Sequence, residues 1–195
     1  MARPSILRRL LRPLIRRPGL IADERGVSAI EFGILAVPFF AIIGAILETS
    51  MVFLAGQVLD SAVNDAARKI RTGEAQGASF NVELFRDEVC RGLYNLFDCT
   101  QVKVRVTTIG SFGGTAAGLI TAPLKPQPCV PAEDATQCWN FPEVFTPGNG
   151  DEIALIQVLY RWPIIINFGG LNLRTYGDGT RLLSAVRVFQ NEPFG

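Results

Sequence analysis

The residue types that catalysis and metal binding most often require are sparse in this chain. It contains no histidine, and its four cysteines are Cys90, Cys99, Cys129 and Cys138. Without histidine there is no imidazole base, no Ser-His-Asp or Cys-His nucleophile and no His-ligated zinc. The cysteines stand nine positions apart within each pair, whereas zinc knuckles space their ligands by about two to four residues. We therefore expect no metal, no cofactor and no enzymatic activity.

One acidic residue, Glu31, stands where a charge is costly. It is the only charged residue between Val27 and Leu47, and a carboxylate in a membrane helix costs roughly a few kcal/mol at the bilayer centre and less near its edge. Cleavage after Gly26 would create an amine on Val27, one helical turn from Glu31. The amine and the carboxylate would then neutralise each other, within one subunit or between neighbours.

The apolar run that contains Glu31 is long enough to cross a bilayer. As a helix, residues 27–47 would be about 31 Å long, which matches a hydrocarbon core of about 30 Å. No small-residue cleavage site follows the run, so we expect it to remain as an anchor rather than to be removed with a secretory signal. Glu48 would then lie at the outer interface.

Charge asymmetry predicts the orientation of this anchor. Residues 1–26 form a basic leader with seven arginines and two acidic residues, net +5, whereas residues 27–195 carry a net charge of −4. By the positive-inside rule the N-terminus is cytoplasmic and the part after the span is exported. All four cysteines are in that exported part, where disulfides are stable. Its acidic balance argues against nucleic acid as a partner.

The sequence around the start of the span resembles a known signal. Residues 25–32 read RGVSAIEF, which has the glycine, the glutamate five positions later and the following aromatic of the class III signal of type IV prepilins. The longer stretch RGVSAIEFGILAVPFF resembles the N-terminal signature of TadE-like proteins, the pseudopilins of the tight-adherence (Tad, or Flp) pilus system. The C-terminal stretch, residues 187–194, resembles the usual ending of that family.

This resemblance implies a role for each residue of the motif. Gly26 would be the last residue of the leader, as prepilin peptidase requires, and Val27 the mature N-terminus. Glu31 would be the fifth mature residue, which pairs with a neighbour's amine during assembly. Type IV pilins usually begin with phenylalanine instead of valine, and the major pilins of this system are much shorter. Both differences favour a minor pilin-like (pseudopilin) component of Tad/Flp type IVb pilus assembly.

The partners and the location follow from the same resemblance. It implies inner-membrane lipid, prepilin peptidase, other Tad pilins and pseudopilins, and the assembly platform as partners. The chain would cross the bacterial inner membrane once, with a periplasmic C-terminal domain that could become extracellular in a filament. Two alternatives remain: an uncleaved single-span envelope scaffold or binding protein, and a membrane-tethered enzyme, for which no nucleophile-base pair was found.

The exported part is expected to have an α+β fold. Apolar residues recur every three or four positions as far as Ile70, which predicts an amphipathic extension of the helix over residues 48–73 with Gly73 as its cap. Residues 74–195 would form the head, with Asn81 capping a second, short helix and a small antiparallel sheet packed against the emerging helix. The second helix is predicted at Phe80–Phe97, and the strands at Gln101–Ile109, Ile153–Ile166 and Leu182–Phe189.

A long loop, residues 110–150, interrupts the predicted strands. Four cysteines allow three disulfide connectivities, and we expect local pairing, with Cys90–Cys99 joining the helix end to the strand and Cys129–Cys138 clasping the loop. Free, buried cysteines are the alternative. The loop also carries three aromatic residues that would form either an adhesive patch or, as we favour, anchors to the core. They are Trp139, Phe141 and Phe145.

Overall fold

The computed structural model describes residues 27–110, 141–166, 173–176 and 178–194. The chain divides into two compact units, Met1–Gly44 and Ala45–Gly195. The second unit contains the head. The helices are α1 (Val27–Arg71), α2 (Glu74–Gly77) and α3 (Val82–Arg91), and the strands are β1 (Lys103–Ile109), β2 (Val144–Phe145), β3 (Ile153–Pro163) and β4 (Thr180–Gln190).

Helix α1 confirms the single long helix that the sequence predicts. It is continuous over 45 residues and ends where the cap was expected, because Gly73 adopts a left-handed conformation with φ +83°. This conformation favours glycine. A side chain at this position would also meet the ring of Phe194, since a Cβ atom built on Gly73 would lie 2.7 Å from it.

The head is built on one four-stranded sheet. Its strand order is β2-β1-β3-β4, with antiparallel pairing of β1 with β3 and of β3 with β4. These three strands are the predicted ones, although β3 ends at Pro163, three residues earlier than expected, since proline lacks the N–H that would extend the ladder. The sheet is mixed because the short β2, which the sequence did not predict, pairs with β1 in parallel.

The core lies between this sheet and the C-terminal part of α1. Helix α1 contributes small and branched side chains at three- and four-residue intervals, and the sheet contributes alternate residues of β1, β3 and β4. The fully buried residues include Leu59, Val63, Ile70, Val104, Val106, Ile156 and Val158. The amphipathic pattern predicted over residues 48–73 is therefore the stripe that packs on the sheet.

Helix α3 covers the rest of the core and is shorter than predicted. Asn81 caps it as expected: the side-chain Oδ1 accepts a hydrogen bond from the Leu84 N–H at 2.9 Å. The helix ends at Arg91 because the chain reverses through Tyr94 and Asn95, both with positive φ. This reversal buries Phe97 and leaves Leu96 partly exposed, whereas the predicted continuous helix placed Leu96 on the apolar face.

The Cys90–Cys99 disulfide closes this reversal. It joins the end of α3 to a short 3-10 helix, Cys99–Gln101, that leads into β1. This is the local pairing expected for these two cysteines. The other predicted pair, Cys129 and Cys138, lies outside the described residues, as does Trp139.

The close approach of α3 to α1 gives a test of this packing. A Cβ atom at Gly92 would lie 2.8 Å from the Cβ of Ala62 on α1, so Gly92→Ala should overpack the contact. We expect it to lower the free energy of unfolding by about 1–3 kcal/mol. Urea unfolding of the full chain in detergent, followed by circular dichroism, measures this change.

The matched control is Gly77→Ala, because no atom lies within 4 Å of a Cβ atom at Gly77. This variant should unfold within about 0.5 kcal/mol of the parent. Equal stability of the two variants would contradict the close helix contact.

Candidate functional site

The N-terminal part of α1 presents apolar side chains with no partner in the described structure. Over residues 28–44 nearly every side chain is exposed, including those of Phe32, Phe39 and Phe40. An 18-residue window of this helix has a mean hydropathy of 2.3, and it is the one helix among the described residues that is long and apolar enough to cross a membrane. Such a surface needs lipid or other helices around it, because water would solvate it poorly.

Glu31 lies on this apolar surface. Positions 27 and 31 are one turn apart on the same side of α1, which is the geometry required for a new amine at Val27 to reach the carboxylate. The Glu31 side chain is exposed, and no ion pair between described residues includes it. Gly26, the other residue of the predicted cleavage motif, lies outside the described residues.

The next acidic residue along the helix, Glu48, is buried against the head, which the sequence did not predict. Only 8% of its surface is exposed, and its Oε1 accepts a hydrogen bond from the Ile165 N–H at 3.1 Å. The short turn after β3, residues 164–166, therefore covers this carboxylate. The sequence contains no local signal for the contact because the two residues are 117 positions apart.

The C-terminal tail fastens the sheet to the far end of α1. The Glu192 N–H donates to the Arg71 carbonyl oxygen at 2.9 Å, and the Asn191 amide donates to the carbonyl oxygens of Pro147 and Asn149 at 2.9 Å each. The stretch 187–194, singled out in the sequence as a family-like ending, thus holds three parts of the head together. This structural role was not predicted.

The last part of the predicted loop, residues 141–150, is ordered by a carboxylate that the sequence did not single out. Glu143 forms an ion pair with Arg86 at 2.6 Å and with Lys103 at 3.3 Å, and it accepts a hydrogen bond from the Val104 N–H. These contacts attach the loop to α3 and β1. Phe141 is buried and the Phe145 ring lies 5.6 Å from that of Phe85, so both aromatic residues anchor the loop, as favoured from the sequence.

Two acidic residues of the head, Glu143 and Asp178, have lowered pKa values because other residues of the head bind their carboxylates. Partial burial raises the pKa of Glu143, but the hydrogen bonds from Arg86 and Val104 and the nearby Lys103 outweigh it, so its pKa is lowered overall. The pKa of Asp178 is likewise lowered, because hydrogen bonds from Thr180 and the charge of Arg161 outweigh burial. Asp178 accepts hydrogen bonds from the backbone N–H and the hydroxyl of Thr180 at the start of β4.

Helix α3 carries two further acidic residues, Asp87 and Glu88. Glu88 pairs with Lys69 at 2.8 Å and with Arg91 at 2.6 Å, and Asp87 beside it is exposed. No group of three Cys, Asp or Glu side chains within the described ranges is arranged to hold a metal ion.

Two features of the described residues bear on function. The apolar N-terminal part of α1 carries one acidic residue, Glu31, and the C-terminal part of α1 packs against a head that contains a disulfide. A comparison with protein families identifies this helix. Residues 26–68 match the family model of TadE-like proteins.

The match confirms the resemblance recognised from the stretch RGVSAIEFGILAVPFF. The TadE-like segment, residues 26–68, contains the apolar run and the part of α1 that packs on the sheet, and it stops three residues before α1 ends at Arg71. The family implies a component associated with the Tad pilus, and its apolar helix is consistent with a single-pass anchor. No curated protein and no solved structure matches the chain.

The lowered pKa of Glu143 predicts how the stability of the head depends on pH. A pKa lowered by folding stabilises the folded state at pH values above the ordinary carboxyl pKa of about 4.3, and this stabilisation is lost as the pH falls through the lowered folded value. We expect Glu143→Gln to lower the free energy of unfolding at pH 7 by up to about 1 kcal/mol. Its stability should also fall less steeply than that of the parent between about pH 5 and pH 3.

Urea midpoints of the full chain in detergent, measured across this pH range, provide the test. Glu83→Gln is the control, because Glu83 is an exposed carboxylate on the first turn of α3. If both variants showed the pH dependence of the parent, Glu143 would not hold the loop as described.

Proposed function

We propose that the chain is a minor pilin-like (pseudopilin) component of Tad pilus assembly, anchored in the bacterial inner membrane and processed by prepilin peptidase after Gly26. The observation that carries the proposal is the position of Glu31 in the TadE-like segment, on an apolar helix and one turn from Val27. A carboxylate in that setting calls for a cationic partner. The amine released by cleavage has the required charge and position.

The division of α1 into two surfaces supports this role. Its N-terminal part exposes apolar side chains around the whole helix, as a lipid-spanning or helix-packing segment does, whereas its C-terminal part buries one stripe against the sheet. A pilin-like subunit needs both surfaces on one helix. The first surface holds the subunit in the membrane or in a bundle of helices, and the second carries the head.

The orientation that we propose places the head in the periplasm. The arginine-rich leader favours a cytoplasmic N-terminus, and the Cys90–Cys99 disulfide suits an oxidising compartment. Its partners in this role are inner-membrane lipid, prepilin peptidase, other Tad pilins and pseudopilins, and the assembly platform. The alternative, an uncleaved envelope scaffold or binding protein, shares the anchor but gives Glu31 no partner amine.

Mass spectrometry of the N-terminus separates these two functions. When the chain is expressed with its Tad system, we expect the intact protein from the membrane fraction to begin at Val27 and to lack the mass of residues 1–26. Gly26→Val should retain that mass, since the peptidase requires glycine before the cut. Recovery of the parent chain with the leader still attached would favour the uncleaved scaffold.

The ion pair itself is tested at Glu31. If the carboxylate is paired in a low-dielectric setting, Glu31→Ala leaves the amine unpaired, which costs about 3–5 kcal/mol when such a pair is buried. Co-purification with the other Tad pilins should therefore fall by at least about tenfold. Glu31→Asp keeps the charge on a shorter side chain and should retain more binding than Glu31→Ala.

Membrane insertion and leader removal are measured on the same variants. Co-purification of Glu31→Ala at the parent level, with normal insertion and normal cleavage, would contradict a role for the carboxylate in assembly.

A further inference from the structure

The turn that follows β3 exposes an isoleucine beside a buried carboxylate. Ile165 is 84% exposed, more than any other large apolar side chain that the structure describes, while its neighbour Ile164 is buried in the core. The Ile165 N–H is held by Glu48 on α1. The chain therefore fixes the backbone of this turn and directs one large apolar side chain outward.

The turn is at the end of the head where α1 enters it. The tail after β4 bonds to Arg71 at the C-terminal end of α1, and the Arg187 side chain donates to the Asp60 carbonyl oxygen further back along the helix. At the other end, the turn after β3 bonds to Glu48. The β3–β4 pair thus lies alongside α1 from Arg71 to Glu48.

The apolar surface of α1 does not stop at Glu48. Beyond Glu48 the side chains of Met51, Phe53 and Leu54 remain exposed. The one exposed polar residue among them, Ser50, donates its hydroxyl to the Ile46 carbonyl oxygen at 2.8 Å, and the next exposed polar side chain is that of Gln57. Leu54 is six residues beyond Glu48, or about 9 Å along the helix. Glu48 therefore lies within the apolar stretch of α1, where an open carboxylate would be costly, and the turn of Ile165 shields it.

We propose that this turn is a second membrane-contacting element, in which Ile165 inserts into the outer interface of the lipid bilayer. The proposal rests on the membrane anchoring proposed above for α1. Its occupant is lipid because Glu48 holds the turn at the level of a helix segment that exposes Met51, Phe53 and Leu54, so a bilayer that surrounds this segment would also reach Ile165. Trp162, three residues earlier and half-buried, is of a type that favours the headgroup region.

The consequence is that the head rests on the membrane at a second point besides α1. Glu48 is the positioning residue of this contact, because its carboxylate accepts the hydrogen bond that holds the turn. In this arrangement α1 leaves the apolar part of the bilayer at Leu54, whereas the sequence alone placed the end of the span at Leu47.

Site-specific photocrosslinking tests the proposal on the full chain. A p-benzoylphenylalanine residue is placed at position 165, and the protein is irradiated in phosphatidylethanolamine–phosphatidylglycerol vesicles. Lipid adducts are then counted by mass spectrometry. The matched control is Val188, an apolar residue that is 44% exposed and lies near the Arg71 end of the head. We expect lipid adducts at position 165 to exceed those at position 188 at least fivefold.

A third position separates this proposal from the anchor on which it rests. Phe40 is exposed within the apolar run and should form lipid adducts if α1 spans the bilayer. Adducts at position 40 with no excess at 165 over 188 would overturn the second contact and leave the anchor standing. No lipid adduct at position 40 would overturn both, and protein adducts replacing lipid at 165 would overturn lipid as the occupant.

The role of Glu48 has its own pair of variants. Glu48→Gln keeps a side-chain acceptor for the Ile165 N–H, whereas Glu48→Leu removes it without adding a charge. Lipid adducts at position 165 should persist in the first variant and fall by at least half in the second, while those at position 40 stay unchanged. Equal adducts at 165 in the two variants would overturn the positioning role of Glu48.

Discussion

The head depends on one packing contact, between the sheet and the buried stripe of α1. Leu59, Val63 and Ile70 supply the helix side, and alternate residues of the three long strands supply the other. Burying such side chains stabilises a fold by roughly 1.5–3 kcal/mol each, and a sheet of this size needs a covered face to be stable alone. The same helix also carries the exposed apolar segment, so that segment is covalently continuous with the core of the head.

The two glutamates of α1, Glu31 and Glu48, have different surroundings. Glu31 is exposed on the apolar segment and lacks an ion-pair partner among the described residues, whereas Glu48 is covered by a turn of the head. The physical problem is the same at both positions, since a carboxylate beside apolar surface needs a donor or a cation. The fold solves it for Glu48 with a backbone N–H. For Glu31 the solution that we propose comes from cleavage of the chain itself.

Sequence patterns predicted the elements whose determinants are local. The long apolar and amphipathic helix, its end at Gly73, the Asn81 cap, the three long strands and the Cys90–Cys99 pair were all confirmed, since each follows from the periodicity, the turn residue types or the short loop involved. Strand β3 was recognisable as a nearly continuous apolar run because it is buried on both faces from Ala154 to Tyr160. The TadE-like segment was recognisable because its motif is compact.

Most of the features that were missed depend on residues far apart in the sequence. The reversal through Tyr94 and Asn95 shortened α3, although the residues there still follow a helical apolar pattern. Neither the parallel pairing of β2 nor the Glu143 attachment has a local signal, because each joins positions about 40 apart. The burial of Glu48 likewise needs the turn after β3. The processing and pairing of Gly26, Val27 and Glu31 stay predictions.

The order of the elements along the chain has a consequence for biogenesis. Helix α1 leaves the ribosome first, yet the central strand β3 begins only at Ile153, 82 positions after Arg71. During synthesis the stripe of α1 therefore has no sheet to cover it. The closing bonds to α1, from Arg187 and Glu192, come from residues that are synthesised later still. The head therefore completes its fold only after β3 and β4 have been synthesised, and the uncovered stripe of α1 is prone to aggregation until then.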